Sequence, residues 1–157
     1  MAALFSSRAQ PVGSGEAPVP ASRSAARRGA ILVVEDRDDV RQGLAQLLEL
    51  HGFLVAVART GDDAIRQLSA DPDGFALIVL DLVLPGGISG RDVRMRQLAD
   101  PVLATVPTIV VTVLDLGPRE RAELRADGWL EKPFRFDDLL ELVRRYVLSE
   151  GSALQAE

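Results

Sequence analysis

The chain has 157 residues, 47% hydrophobic and 26% charged, with a formal net charge of −5. That is enough for one globular domain with a sizeable core, and no apolar run is long enough to span a bilayer. Zero cysteines exclude disulfides, a thiol nucleophile and any cysteine-held metal; one histidine excludes a multi-histidine cage, and the acidic balance restricts any nucleic-acid contact to a local patch.

The charge is unevenly spread. Residues 1–29 hold Arg8, Arg23, Arg27 and Arg28 against Glu16 alone, among Ala, Ser, Pro and Gly without periodicity. The segment reads as a disordered tail. Its Arg- and Ser-rich composition also suits an organelle transit peptide, but no amphipathic helix emerges before Pro11. The folded part begins at Ala30 with AILVV, a buried-strand pattern ending in Glu35-Asp36. Asp38 and Asp39 open a helical stretch whose Val40, Leu44, Leu47 and Leu48 share one face, and His51-Gly52 closes it. Phe53 to Ala58 is a second strand, and Thr60-Gly61-Asp62-Asp63 has the spacing of a capping box for a helix to about Ala70.

FALIVLD, Phe75 to Asp81, is a third strand whose lack of alternation suits burial on both faces. It ends in a carboxylate and the turn LVLPGG. Ser89 to Asp92 opens a third helix to about Leu98, and PTIVVT is a fourth strand ending at Thr112. Gly117-Pro118 starts a short charged helix that ends near Asp127-Gly128. Trp129-Leu130-Glu131 is a brief fifth strand, followed by Lys132-Pro133. Asp137 or Asp138 begins a last helix with Leu139, Leu140, Leu142, Val143, Tyr146 and Val147 on its face, and residues 149–157 read as a C-terminal tail. Five repeats of strand then helix predict an α/β domain over residues 30–148, a doubly wound parallel sheet with helices on both sides.

In such a sheet all strand C-termini lie along one edge, so Glu35-Asp36, Asp81, Thr112 and Glu131-Lys132 can converge despite their separation in sequence. Three crowded carboxylates repel one another and need a cation. Oxygen donors without His or Cys favour a hard ion, Mg²⁺ or Mn²⁺. A hydroxyl and an ammonium beside a metal-bound carboxylate are donors suited to phosphoryl oxygens. The constellation reads as phosphoryl transfer onto an aspartate.

ILVVED, LIVLDLVLP, IVVT and WLEKPF, in this order, resemble the receiver domain of two-component response regulators. The resemblance covers roughly residues 30–148. It implies a flavodoxin-like sheet of order 2-1-3-4-5 with five helices. It makes Asp81 the phosphoacceptor, Asp36 a direct metal ligand, Glu35 a ligand through water, and the backbone carbonyl of Val83 a further ligand. Thr112 would contact a phosphoryl oxygen, Lys132 would pair with Asp81, and a cis bond would precede Pro133. Thr112 and Trp129 occupy the family's switch positions, Trp129 standing where Tyr or Phe is usual. Val83 and Leu114 flank the approach of water to the acyl phosphate; being apolar, they predict slow loss of the phosphoryl group. Besides Trp129, three departures stand out: the long turn PGGISG before Gly90, the short interval from Thr112 to Lys132 that abbreviates the fourth helix, and Val113 where a small residue is usual.

The expectation is a stand-alone, cytoplasmic receiver phosphorylated by a histidine kinase or histidine phosphotransfer protein with Mg²⁺. It is expected to be no turnover enzyme, but a phosphoacceptor that assists its own phosphorylation and dephosphorylation. With no helix-turn-helix after Leu148, its output would be protein–protein contact, as a monomer or a phosphorylation-dependent dimer, with no direct nucleic-acid or membrane role. One alternative is an aspartate-nucleophile phosphatase of the haloacid-dehalogenase type, which wants a second acid where Val83 stands. Another is a receiver-like scaffold that is never phosphorylated, against which the full acidic set argues. A dinucleotide-binding fold is disfavoured because EDRDD, not a glycine-rich loop, follows the first strand.

Overall fold

Strands form where the sequence concentrates β-branched and aliphatic residues: β1 (Ala30–Val34), β2 (Val55–Ala58), β3 (Phe75–Asp81), β4 (Thr108–Thr112) and β5 (Gly128–Glu131). Between and after them run α1 (Asp38–Leu50), α2 (Gly61–Ala70), α3 (Gly90–Ala99), α4 (Pro118–Leu124) and α5 (Phe136–Gln155), with one 3₁₀ turn at Leu103–Thr105. This computed structural model describes residues 29–155; the N-terminal stretch expected to be disordered lies outside the described residues. The strands pair in parallel in the order β2-β1-β3-β4-β5. Chain order and sheet order differ because each crossover carries a helix over one face or the other.

The two faces divide the core. Ile31, Val33, Leu77, Val79, Ile109 and Val111 meet Leu48 of α1 and Leu139 and Val143 of α5. The alternate residues Leu32, Val34, Ile78 and Leu80 meet Ala64 and Leu68 of α2 and Val93 of α3. Val110 and Leu82 pack with Leu124 of α4 and Trp129. All seven residues of β3 are buried, as its unbroken apolar run requires.

Local chemistry sets the element ends. Thr60 caps α2 by accepting from the Asp63 amide, and Ser89 and Asp92 form a reciprocal capping box on α3. Backbone and side-chain hydrogen bonds from Ser89 hold the Asp92 carboxyl below its usual range. β2 starts at Val55 rather than Phe53, because the Phe53 amide is taken by Leu48 in closing α1. The last helix begins at Phe136 and continues to Gln155, so residues 149–155, expected as a tail, extend α5 instead.

The helix α4 ends three residues before the Asp127-Gly128 stop that its sequence suggests. Arg125 turns left-handed at φ 47°, and the cause lies on α3. Arg94, only 2% exposed, donates to the carbonyls of Leu124 (2.8 Å) and Arg125 (2.6 Å), to Gln97 (2.6 Å) and to Thr108 (2.9 Å). Gln97 passes the network on to the carbonyls of Leu103 and Val106. A guanidinium thus caps a short helix whose last carbonyls face protein rather than water. Replacing Arg94 by Met strands those acceptors in a buried site, and we expect a loss of roughly 2–4 kcal/mol of unfolding free energy. Urea unfolding measures it; a loss below about 1 kcal/mol contradicts the capping role.

Candidate functional site

The sheet register builds the site. Val34 pairs with Leu80 and Asp81 with Val111, so Glu35, one residue beyond Val34, falls level with Asp81. Thr112 pairs with Glu131, and the Lys132 amide donates to the Thr112 carbonyl at 2.9 Å, which delivers the lysine to the same edge. Gly90 closes the floor: a Cβ there would collide with the Asp81 carbonyl and Leu82 backbone, so only glycine lets α3 begin against the end of β3.

Glu35 is 3% exposed and Asp81 5%, with Asp36 half-buried beside them. Carboxylate oxygens from all three lie within 4.8 Å of one another. The Lys132 ammonium enters this cluster and donates to Glu35 at 2.6 Å and to Asp81 at 2.8 Å. Burial pulls that ammonium's pKa down, but its hydrogen bonds and charge interactions with Asp81 and Glu35 outweigh the burial and hold it above the ordinary value of 10.5. The peptide bond between Lys132 and Pro133 is cis.

One local device recurs at three strand ends. The Glu35 carboxylate accepts from the Arg37 amide (3.1 Å), the Asp81 carboxylate from the Val83 amide (2.9 Å), and the Thr112 hydroxyl from the Leu114 amide (3.0 Å). In each case a side chain captures the backbone two residues on, which fixes its rotamer and turns the chain out of the sheet. Thr112 uses its oxygen as acceptor here and so keeps its hydroxyl proton to donate. Val83 and Leu114 are exposed, as is Val113, and the first two are tied by their amides to Asp81 and Thr112. The long PGGISG turn leaves the Val83 amide on Asp81.

Trp129 stands apart from this cluster. It pairs with Val110, two residues before Thr112 on the same strand face, and is half-buried with the Arg121 guanidinium 4.8 Å from its ring centre. Arg121 also reaches Glu131 at 3.5 Å.

Sequence reading missed one residue of this region, Arg41. Its guanidinium donates to the carbonyls of Glu35 and Asp36 from beneath the β1–α1 turn. The signal was present: position 41 shares the buried stripe of α1 with Ala45 and Leu48. His51, by contrast, takes the helix-end role expected of it, its Nδ1 lying 2.8 Å from the Leu47 carbonyl, and its ring lies 5.6 Å from that of Phe136.

The donor set fits a hard divalent cation. The grouped oxygens come from Glu35, Asp36 and Asp81, and among the described residues no His or Cys joins the cluster. Lys132 holds two of the three carboxylates, the countercharge that a metal would otherwise supply.

The family model for the response regulator receiver domain matches residues 31–144. The uncharacterized transcriptional regulatory protein YkoG of Bacillus subtilis is 31% identical, covering 80% of this chain and 54% of its own length. The sensory transduction protein RegX3 of Mycobacterium tuberculosis is 35% identical, covering 78% of this chain and 52% of its own. The chain thus spans about half the length of the curated relatives it matches. Among solved structures, the receiver domain of a signal transduction histidine kinase from Syntrophus aciditrophicus aligns with a TM-score of 0.68 at 30% identity, over 82% of this chain and 94% of that one. Response regulator TrrA from Thermotoga maritima, solved in complex with Mg(2+)-BeF, aligns with a TM-score of 0.66 at 27% identity, over 75% and 98%.

The raised lysine pKa has a signed consequence. A cation held above its ordinary 10.5 contributes stability that is fully present below that value and is lost as pH rises through the folded-state value. In chelator, the stability difference between the parent and Lys132→Met should therefore hold steady from about pH 7 to 9 and shrink only in the alkaline range above. Urea unfolding across that range tests it, and a difference that already shrinks near pH 8 contradicts the ion-pair assignment.

Proposed function

The chain belongs to the response regulator receiver domain family, and from that premise we propose that Asp81 accepts a phosphoryl group from the phosphohistidine of a histidine kinase or histidine phosphotransfer protein. The observation that carries this reading is the Lys132 ammonium shared between Glu35 and Asp81, with Asp36 alongside. An Asp81 carboxylate oxygen forms the new bond to phosphorus while the donor's P–N bond breaks. The imidazole leaves with the electron pair of that bond. Lys132 stays beside the carboxylate and neutralises charge on the phosphoryl oxygens, and the Thr112 hydroxyl donates to one of them.

Asp36, Asp81 and the Val83 carbonyl would hold Mg²⁺ or Mn²⁺, with Glu35 reaching it through water; when bound, the ion adds positive charge beside the transferred group. The chain acts as an acceptor that is modified and restored, not as a turnover enzyme. The proposed readout is contact of this domain with another protein segment, whether separate or joined to it. Trp129 is its candidate reporter: Thr112, drawn to the phosphoryl group, opens room for the indole to leave Arg121 and turn inward.

Incubation with acetyl phosphate and Mg²⁺, followed by intact mass, tests the acceptor. The parent should gain one phosphoryl group and Asp81→Asn none, while beryllofluoride with Mg²⁺ should alter Trp129 fluorescence. Turnover of phosphomonoesters with no trapped adduct would overturn the acceptor reading, and an unchanged spectrum would remove Trp129 from it.

The lifetime of the adduct follows from its rim. Val83 is 47% exposed and Leu114 42%, so each presents an apolar side chain where water must approach. Neither can orient that water. A Val83→Asn, Leu114→Glu double variant should lose its phosphoryl group faster, by a factor on the order of 10² if the new group acts as a base and less if it only orients water. A parent that decays as fast as this variant contradicts the idea.

A further inference from the structure

A buried arginine lies directly beneath the carboxylate cluster, and nothing in the phosphoryl-transfer chemistry above uses it. Arg41 is 8% exposed, on the stripe of α1 where Ala45 and Leu48 are packed. An aliphatic side chain would fill that position without the cost of burying a charge. Its guanidinium nitrogens take three acceptors instead: the Glu35 carbonyl at 3.0 Å, the Asp36 carbonyl at 3.4 Å and the Asp38 carboxylate at 2.5 Å. Asp38 is in turn shared with Arg59, at 3.0 and 3.4 Å.

The two carbonyls belong to the two β1–α1 residues whose side chains enter the acidic cluster. Pinning a residue's carbonyl fixes its peptide plane, and with it the direction in which its side chain leaves the backbone. The Arg37 amide on the Glu35 carboxylate secures the same turn from its other side. Asp38 completes the arrangement electrostatically. A bare guanidinium under a divalent-cation site would repel the ion, and a bonded carboxylate offsets it. Asp38 accepts from both guanidinium groups, from Arg41 at 2.5 Å and from Arg59 at 3.0 Å, so its carboxylate lies directly against the Arg41 charge.

We propose that Arg41 is a positioning residue for the metal site: its planar fork sets the carboxylates of Glu35 and Asp36 relative to Asp81, and Asp38 keeps its charge from opposing the cation. This rests on the reading of the cluster as a Mg²⁺ site. Lysine cannot replace the fork, because one guanidinium nitrogen takes the two carbonyls while the other takes the Asp38 carboxylate, and a single ammonium cannot occupy both nitrogen positions.

The test is Mg²⁺ titration by calorimetry on the full chain, with amide hydrogen exchange of the β1–α1 turn measured separately in chelator. Arg41→Lys and Arg41→Met should each weaken Mg²⁺ binding about tenfold or more, the usual effect of removing an outer-sphere partner. In chelator both should speed exchange of the Arg37 amide, a readout that needs no metal. Asp38→Asn should also weaken binding, with a shallower dependence on ionic strength, because it leaves the Arg41 charge uncompensated and the site less negative. Arg94→Met lowers stability at the far edge of the sheet and should keep the parental affinity. If it weakens Mg²⁺ binding as much as Arg41→Lys does, the effect is global softening and the proposal fails. Parental affinity and exchange in Arg41→Lys, with Mg²⁺ binding lost in Asp36→Ala, overturn the positioning role and leave the site assignment standing. A parent that binds no Mg²⁺ overturns both.

Discussion

The structure depends on one cation placed among three carboxylates. Glu35, Asp36 and Asp81 present oxygens within 4.8 Å of one another, and two of the three groups are almost fully buried. Such a cluster opposes folding unless positive charge is supplied from within. Lys132 supplies it from a residue 97 positions from Glu35 and 51 from Asp81. Only the parallel sheet makes that contact, because it alone brings the ends of β1, β3 and β5 to one edge. The fold and the charge arrangement are therefore one constraint. The ammonium that stabilises these carboxylates is, on the proposed reading, also the group that would meet new negative charge on Asp81.

Rotamer control follows from how the strands end. At β1, β3 and β4 a site side chain accepts the amide two residues ahead, so three functional groups are held by their own backbone. Such bonds are local and depend little on distant packing. At β3 the bond from the Val83 amide to Asp81 is made before the PGGISG turn begins, so the device does not depend on how that turn is built. What the local bonds do not set is the height of one strand end against the next. That comes from the register of the sheet and, at β1, from the guanidinium of Arg41.

Much of this was readable from residue order. A buried strand is a run of aliphatic residues, and a candidate site residue is the polar group that stops it. Glu35-Asp36, Asp81, Thr112 and Lys132 all stand at such points, and the capping residues Thr60 and Ser89 carry their own spacing. The two buried arginines were not readable in this way, because an arginine's burial depends on acceptors far along the chain. Arg94 finds Leu124 and Arg125 some thirty residues away. The usable hint was periodicity: Arg41 and Arg94 each sit on the stripe of their helix that is otherwise inward. The end of α4 was misplaced for the same reason, since Arg94 and not the local Asp-Gly pair terminates it. The last helix ran past its expected end because one interior glycine costs about 1 kcal/mol, too little to stop a helix.

The short α4 follows from these same contacts. Seven residues give one buried side chain, Leu124, so apolar packing alone anchors the helix weakly. Its C-terminal end is gripped by the buried Arg94, where each acceptor would be costly to strand. Its exposed side is held by Arg91 on Glu123 at 2.6 Å and by Arg121 over Trp129, contacts open to solvent. Exposed ion pairs of this kind contribute about 0–1 kcal/mol each and weaken further with salt. The helix is thus fixed at one end and loosely held along its outer face. Through Arg121 that face meets Trp129, whose strand leads directly to Lys132. A small free-energy change at the acidic cluster is of the right size to disturb contacts this weak, while Arg94 keeps the end of α4 in place.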